Sequence, residues 1–157
     1  MSYRFGGAAR KGRAPRLVVS HVEEDAQAAG RIVKKLERFG VACWIAPRDI
    51  TAGDPFDVQV FDAIKRCSAV LLVFSERCNA SSWVHREVTV ADAAGKRVIP
   101  FRIEDACPEG GLALRLAALH HVDGFAGIDQ AVCEVLRTLH PQLGRKAFER
   151  RRGRRPR

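Results

Sequence analysis

Apolar residues fall along the chain in two alternating rhythms. Short, largely apolar runs occur within residues 16–20, 41–45, 69–74 and 98–103 and predict strands, with a short fifth strand at 119–122. Between them apolar residues recur every three or four positions, the spacing of one helix face. Residues 23–39 place Ala28, Ile32, Val33, Leu36 and Phe39 on one stripe. Glu23, Glu24 and Asp25 suit the start of that helix, and Gly40 its end. Residues 56–66 set Val60 and Ile64 at core spacing, followed by Cys67. Residues 82–94 form a third helix stopped by Gly95, and residues 112–117 one or two helical turns. The last helix covers residues 128–139, with Val132, Val135, Leu136 and Leu139 inward. Residues 47–55, 75–81 and 104–111 are richer in turn-forming residues and read as loops.

Strand and helix alternate about five times, which predicts a parallel sheet with right-handed crossovers. The expected fold is α/β, a flavodoxin-like three-layer architecture with a five-stranded parallel sheet in the order 2-1-3-4-5 and helices on both faces. Residues 69–74 are the most apolar run and predict the central strand, covered on both faces. A sheet of this kind binds ligands beyond the carboxyl ends of its strands, beside strand 1. The loops there follow Ser20, Ile45 and Ser75.

At 157 residues the chain suits one domain. The expected division is a disordered basic segment over residues 1–14, one folded domain over 15–141 and a basic tail over 142–157. The formal charge is +9. Residues 1–15 contribute +4 of it and residues 144–157 contribute +7, so the residues between carry −2. A body so charged is no platform for nucleic acid. The tail suits at most weak, salt-dependent contact with nucleic acid or anionic surfaces. No run is apolar enough to span a bilayer, and no apolar stretch follows the N-terminal arginines as a secretory signal requires.

Five cysteines, at 43, 67, 78, 107 and 133, form no C-x-x-C pair and no zinc spacing. An odd count without an export signal points to a reducing cytoplasm. The histidines are scattered, and His120 and His121 face opposite ways if they lie in a strand. No metal site is expected.

Candidate chemistry sits in Ser81-Ser82-Trp83-Val84-His85-Arg86-Glu87. A helix starting here puts Trp83 and Glu87 on one face, one turn apart. An indole beside a carboxylate suits a cationic aromatic and the positive charge next to it. The same spacing also arises from a core tryptophan and a solvated acid. The location decides between them: this helix follows strand 3 and opens at the expected binding edge. Rival uses of the fold lack their residues. No aspartate ends strand 3, as a phosphate-accepting receiver needs, and neither G-x-G-x-x-G nor a P-loop is present.

Several segments together resemble the Toll/interleukin receptor (TIR) domain in its bacterial form. Leu17-Val18-Val19-Ser20-His21-Val22-Glu23-Glu24-Asp25 is similar to the first box of that family. The stretch from Cys43-Trp44-Ile45-Ala46-Pro47-Arg48-Asp49 to Gly53-Asp54 is similar to its second strand and BB loop. Leu71-Leu72-Val73-Phe74-Ser75, Trp83-Val84-His85-Arg86-Glu87 and Lys96-Arg97-Val98-Ile99-Pro100 resemble the third strand, the W-x-x-x-E segment and the fourth strand. The resemblance runs over about residues 16–140, in order.

The resemblance implies two behaviours. Many such domains cleave NAD+ between ribose and nicotinamide through the glutamate of W-x-x-x-E, here Glu87. Others are TIR–TIR interaction modules. For cleavage it implies NAD+ as substrate and no cofactor, with Ser20, His21, Trp44, Gly53, Phe56, Ser75 and Trp83 around the substrate. Ser20, His21 and Ser75 are expected on the pocket floor, with the loop and Phe56 as its lid. Pro47, Arg48 and Asp49 fall in the loop that mediates contact with a second copy or another TIR domain. A third reading, nucleoside 2-deoxyribosyl transfer, also uses a glutamate beside a ribose.

Overall fold

A computed structural model describes residues 14–140. The basic segments expected over 1–14 and 142–157 lie, apart from Ala14, outside the described residues. The strands are β1 (Leu17–Ser20), β2 (Cys43–Ile45), β3 (Ala69–Phe74), β4 (Arg97–Arg102) and β5 (Val122–Asp123). The helices are α1 (Ala26–Arg38), α2 (Phe56–Arg66), α3 (Ser82–Ala93), α4 (Gly110–Leu116) and α5 (Ile128–Leu139). All strand pairs are parallel, in the order β2-β1-β3-β4-β5.

Side-chain alternation divides the core between the two faces of the sheet. Leu17, Val19, Cys43, Ile45, Ala69, Leu71 and Val73 pack with the buried stripes of α1 and α5. Val18, Trp44, Val70, Leu72 and Phe74 pack on the other face with α2, α3 and α4. Every residue of β3 is buried, as a central parallel strand requires. The α1 stripe is Ala29, Ile32, Val33 and Leu36, so Ala29 takes the inward position expected for Ala28. Gly40 ends this segment at φ +82°, a left-handed conformation that glycine adopts without strain.

Four elements differ from expectation. The helix expected from residue 23 opens as a 3-10 turn at Glu23–Asp25 before α1, and α4 starts at Gly110, two residues inside the expected loop. Residues 75–81, read as a loop, contain a 3-10 turn at Glu76–Ala80. The fifth strand, expected at 119–122, begins only at Val122. Its apolar start, Leu119, belongs instead to the turn after α4, where its N–H donates to the Leu116 carbonyl at 2.9 Å. His120 and His121 therefore precede the strand, with stacked rings 6.1 Å apart.

Gly124 follows β5 directly against the buried ring of Phe101. A Cβ there stands 2.1 Å from a ring carbon. Gly124→Ala is expected to destabilise the fold by about 1–3 kcal/mol through overpacking. Urea unfolding checks this: the midpoint should fall with the slope unchanged.

Candidate active site

Alternation along β1 decides where the site begins. Ser20 has the parity of Val18 and so faces α3, whereas Val19 faces α1. The buried residues of α3 are Val84, Glu87, Val88 and Ala91, one helical stripe with a carboxylate set among apolar side chains. The Ser20 hydroxyl donates to Glu87 Oε2. Ser81 caps α3, accepting from the Val84 N–H at 3.2 Å, and thereby starts the helix where Trp83 and Glu87 share a face.

Glu87 is only 7% exposed. Burial disfavours its charged form and raises its pKa to about 7, although Ser20, the Trp83 indole and the charge of His21 each pull it down. The carboxylate stands between two cavities. A cleft of about 890 Å³ opens above the ends of β1, β2 and β3, within the size range of small-ligand sites. A smaller one of about 340 Å³, walled by Val60, Phe61, Ile64 and Val90, reaches Glu87 between α2 and α3. Trp83 lines both, and its ring lies 5.0 Å from Phe56 at 48°.

The large cleft gathers His21, Trp44, Pro47, Phe56, Trp83 and Glu87 from the residues singled out in the sequence. His21 bridges two strand ends: Nδ1 is 2.7 Å from the Val22 carbonyl and Nε2 3.1 Å from that of Ala46. Trp44 does double duty, 9% exposed in the core yet part of the cleft wall. Ser20 reaches the cleft through Glu87.

Ser75 and Gly53 do not line it. Ser75 has the parity of Val73 and so turns to the α1 side, where its hydroxyl donates to buried Asp25 Oδ2. Its expected place on the pocket floor is corrected by that alternation. Gly53 sits in the exposed part of the loop at φ +91°.

Arg48 and Asp49 secure the loop from within. The Arg48 guanidinium pairs with Glu37 and Asp49, each at 2.8 Å, and donates to the Cys43 carbonyl at 2.9 Å. Asp49 accepts the Ile45 N–H at 2.9 Å. Gln59, which the sequence reading passed over, holds the far end. It accepts from the Thr51 N–H at 2.7 Å and donates to the carbonyls of Thr51 and Asp54. Also passed over were Glu23, Glu24 and Arg77 as cleft-lining residues.

All five cysteines are free, and burial pushes the Cys43 thiol up to about 12. Among the described residues no group of three or more His, Cys, Asp or Glu could hold a metal ion, and no helix is long and apolar enough to cross a membrane.

A doubly wound parallel sheet with a ligand-sized cleft at its strand ends, floored by a buried glutamate beside an indole, defines a flavodoxin-like α/β protein. Residues 17–137 match the TIR domain family, and the chain belongs to it. Solved structures agree on the fold. The TIR domain of the Toll-related receptor TRR-2 from Hydra magnipapillata is 21% identical at a TM-score of 0.64, covering 82% of this chain and 98% of that one. The TIR domains of the activated Roq1 resistosome, which recognises the pathogen effector XopQ, are 19% identical at 0.53, over 84% and 82%. A metazoan TIR-STING receptor from C. gigas is 22% identical at 0.59, over 80% of this chain and 42% of the receptor. No curated protein sequence matches the chain.

The raised pKa of Glu87 has a stability consequence. Its folded pKa lies above the unfolded value of 4.5, so its contribution is fully present below 4.5 and is lost as pH rises through about 7. Removing the charge with Glu87→Gln should therefore stabilise the fold at pH 8 by roughly 3 kcal/mol, and by almost nothing near pH 4.5. Denaturation of both proteins across that range measures the difference.

Proposed function

We propose that this TIR domain is an NAD+ glycohydrolase of immune or cell-death signalling. The observation that carries the reading is Glu87, a desolvated carboxylate on the cleft floor with the Trp83 indole one turn away. In the reaction the bond between C1′ of the ribose and the pyridinium nitrogen breaks. Nicotinamide keeps the electron pair and leaves neutral. Water bonds to C1′ and releases a proton, giving ADP-ribose. An adenine nitrogen attacking in place of water gives a cyclic product.

Positive charge moves from the ring to the ribose as the bond lengthens. Glu87, ionised, stabilises it electrostatically or by transient bonding to C1′. A water-poor setting strengthens that interaction. The leaving group is already cationic, so the chemistry asks for neither a metal nor a strong acid. Trp83 and Phe56 offer faces to the nicotinamide ring, Ser20 orients the carboxylate, and His21 and Trp44 shape the wall. The substrate is NAD+ and the site needs no cofactor.

Purified protein incubated with NAD+ should release nicotinamide, and Glu87→Gln should release it at least about a hundredfold more slowly while keeping its circular dichroism. The rate of the parent protein should rise with pH and level off above about 7, where Glu87 is ionised. Equal release by parent and variant removes Glu87 from the mechanism.

A second behaviour, self-association or contact with other TIR domains, is favoured by one observation. Beside the loop, Phe56, Val58 and Phe61 are 43–50% exposed, a cluster of large apolar side chains left open on α2. Pro47, Arg48 and Asp49, in the loop that leads into α2, belong to the same proposed contact. Specific activity should rise with protein concentration, and a dilution series in which it stays constant removes association from the mechanism.

A further inference from the structure

Arg77 is the one lysine or arginine on the wall of the large cleft among the described residues. It stands on the 3-10 turn after β3. Its Nη1 donates to Asp25 Oδ1 at 3.2 Å. Asp25 is 5% exposed and its other oxygen is taken by Ser75, so the acid is a fixed post rather than a mobile counter-ion. A guanidinium carries five N–H donors in a planar fork that matches phosphate oxygens. Asp25 engages one nitrogen, and the side chain remains 56% exposed.

The remaining charged and titratable groups on the wall are Glu23, Glu24, Glu87 and His21. Three carboxylates repel a phosphate-bearing ligand. The arginine is the group on that wall that reverses the sign locally. We propose that Arg77 is the residue that binds the pyrophosphate of a dinucleotide lying in this cleft, held in place by Asp25. The inference rests on the NAD+ reading above. In this arrangement Asp25 is a positioning residue, and Arg77 touches the substrate away from the reacting carbon. Glu23 and Glu24 are then left to accept from ribose hydroxyls, as acids do at other dinucleotide sites.

The test compares Arg77→Gln and Arg77→Lys with the parent protein on NAD+ and on nicotinamide riboside, which carries the same scissile bond and no phosphate. Arg77→Gln should lower the preference for NAD+ by tenfold or more, mainly through KM, with Arg77→Lys recovering part of it. Equal losses on both substrates assign Arg77 a structural role and overturn the proposal. Calorimetric binding of ADP-ribose supplies a readout independent of turnover. Arg77→Gln should bind at least tenfold more weakly than the parent, and the parent's affinity should fall with added salt. Unchanged ADP-ribose affinity overturns the proposal whatever the rates. A parent protein that binds ADP-ribose through Arg77 yet releases no nicotinamide instead sinks the glycohydrolase reading alone.

Discussion

One desolvated carboxylate sets the terms for the rest of the structure. Glu87 occupies an inward position of α3 that an aliphatic residue would fill without penalty. Its charge is tolerable only where donors converge on it. The Ser20 hydroxyl comes from the end of β1, and the indole from the preceding turn of α3. That convergence requires β1 to lie beside β3 in the observed register, Ser20 opposite Leu72. A slip of one residue would turn Ser20 to the α1 face and leave the acid without its hydroxyl. Strand order, register and chemistry are therefore one constraint.

The sheet carries a second buried acid built in the same way with a different outcome. Ser75 directly follows β3 facing α1 and donates to Asp25, as Ser20 ends β1 facing α3 and donates to Glu87. Asp25 also meets a guanidinium and has both oxygens engaged. Among the described residues Glu87 meets no guanidinium or ammonium group, and it lies against two cavities. A saturated carboxylate holds structure in place. One that is partly compensated and open to a cleft retains interaction energy for a positive charge arriving there.

The strands and helices were legible because their periods differ so clearly. The apolar run of β3 and the stripes of α1 and α5 allow one reading each, and five alternations leave few topologies. Glu87 was legible as a candidate from Trp83 four residues earlier, although spacing alone favoured a solvated acid. What decides it is the stripe of Val84, Val88 and Ala91 around it, visible once α3 is known to pack inward. Ser75 was misplaced because a strand-end serine was treated as facing the cleft whatever its parity. Counting from Val73 would have turned it the other way. The late start of β5 and the grip of Gln59 on Thr51 and Asp54 depend on contacts that local pattern does not encode. Arg77 escaped for the same reason: its partner lies 52 residues away on the first turn of the fold.

The loop over residues 47–55 bears on how ready the cleft is for a ligand. Its start is tied down by Arg48 to Glu37 and Asp49, and its far end by Gln59. Surface ion pairs of this kind contribute under about 1 kcal/mol singly. Here the guanidinium also satisfies the Cys43 carbonyl, and Asp49 satisfies the Ile45 N–H. Backbone groups at the end of β2 are thus closed by side chains of the loop itself, and Ala46, Pro47 and Phe56 are presented as a wall already formed. Little ordering entropy remains to be lost when a molecule enters, so more of the contact energy appears as affinity. Val58 and Phe61, exposed on α2 beside this wall, are open to another surface. Pro47 and Phe56 belong both to that wall and to the proposed contact surface, so association through the loop bears directly on the cleft.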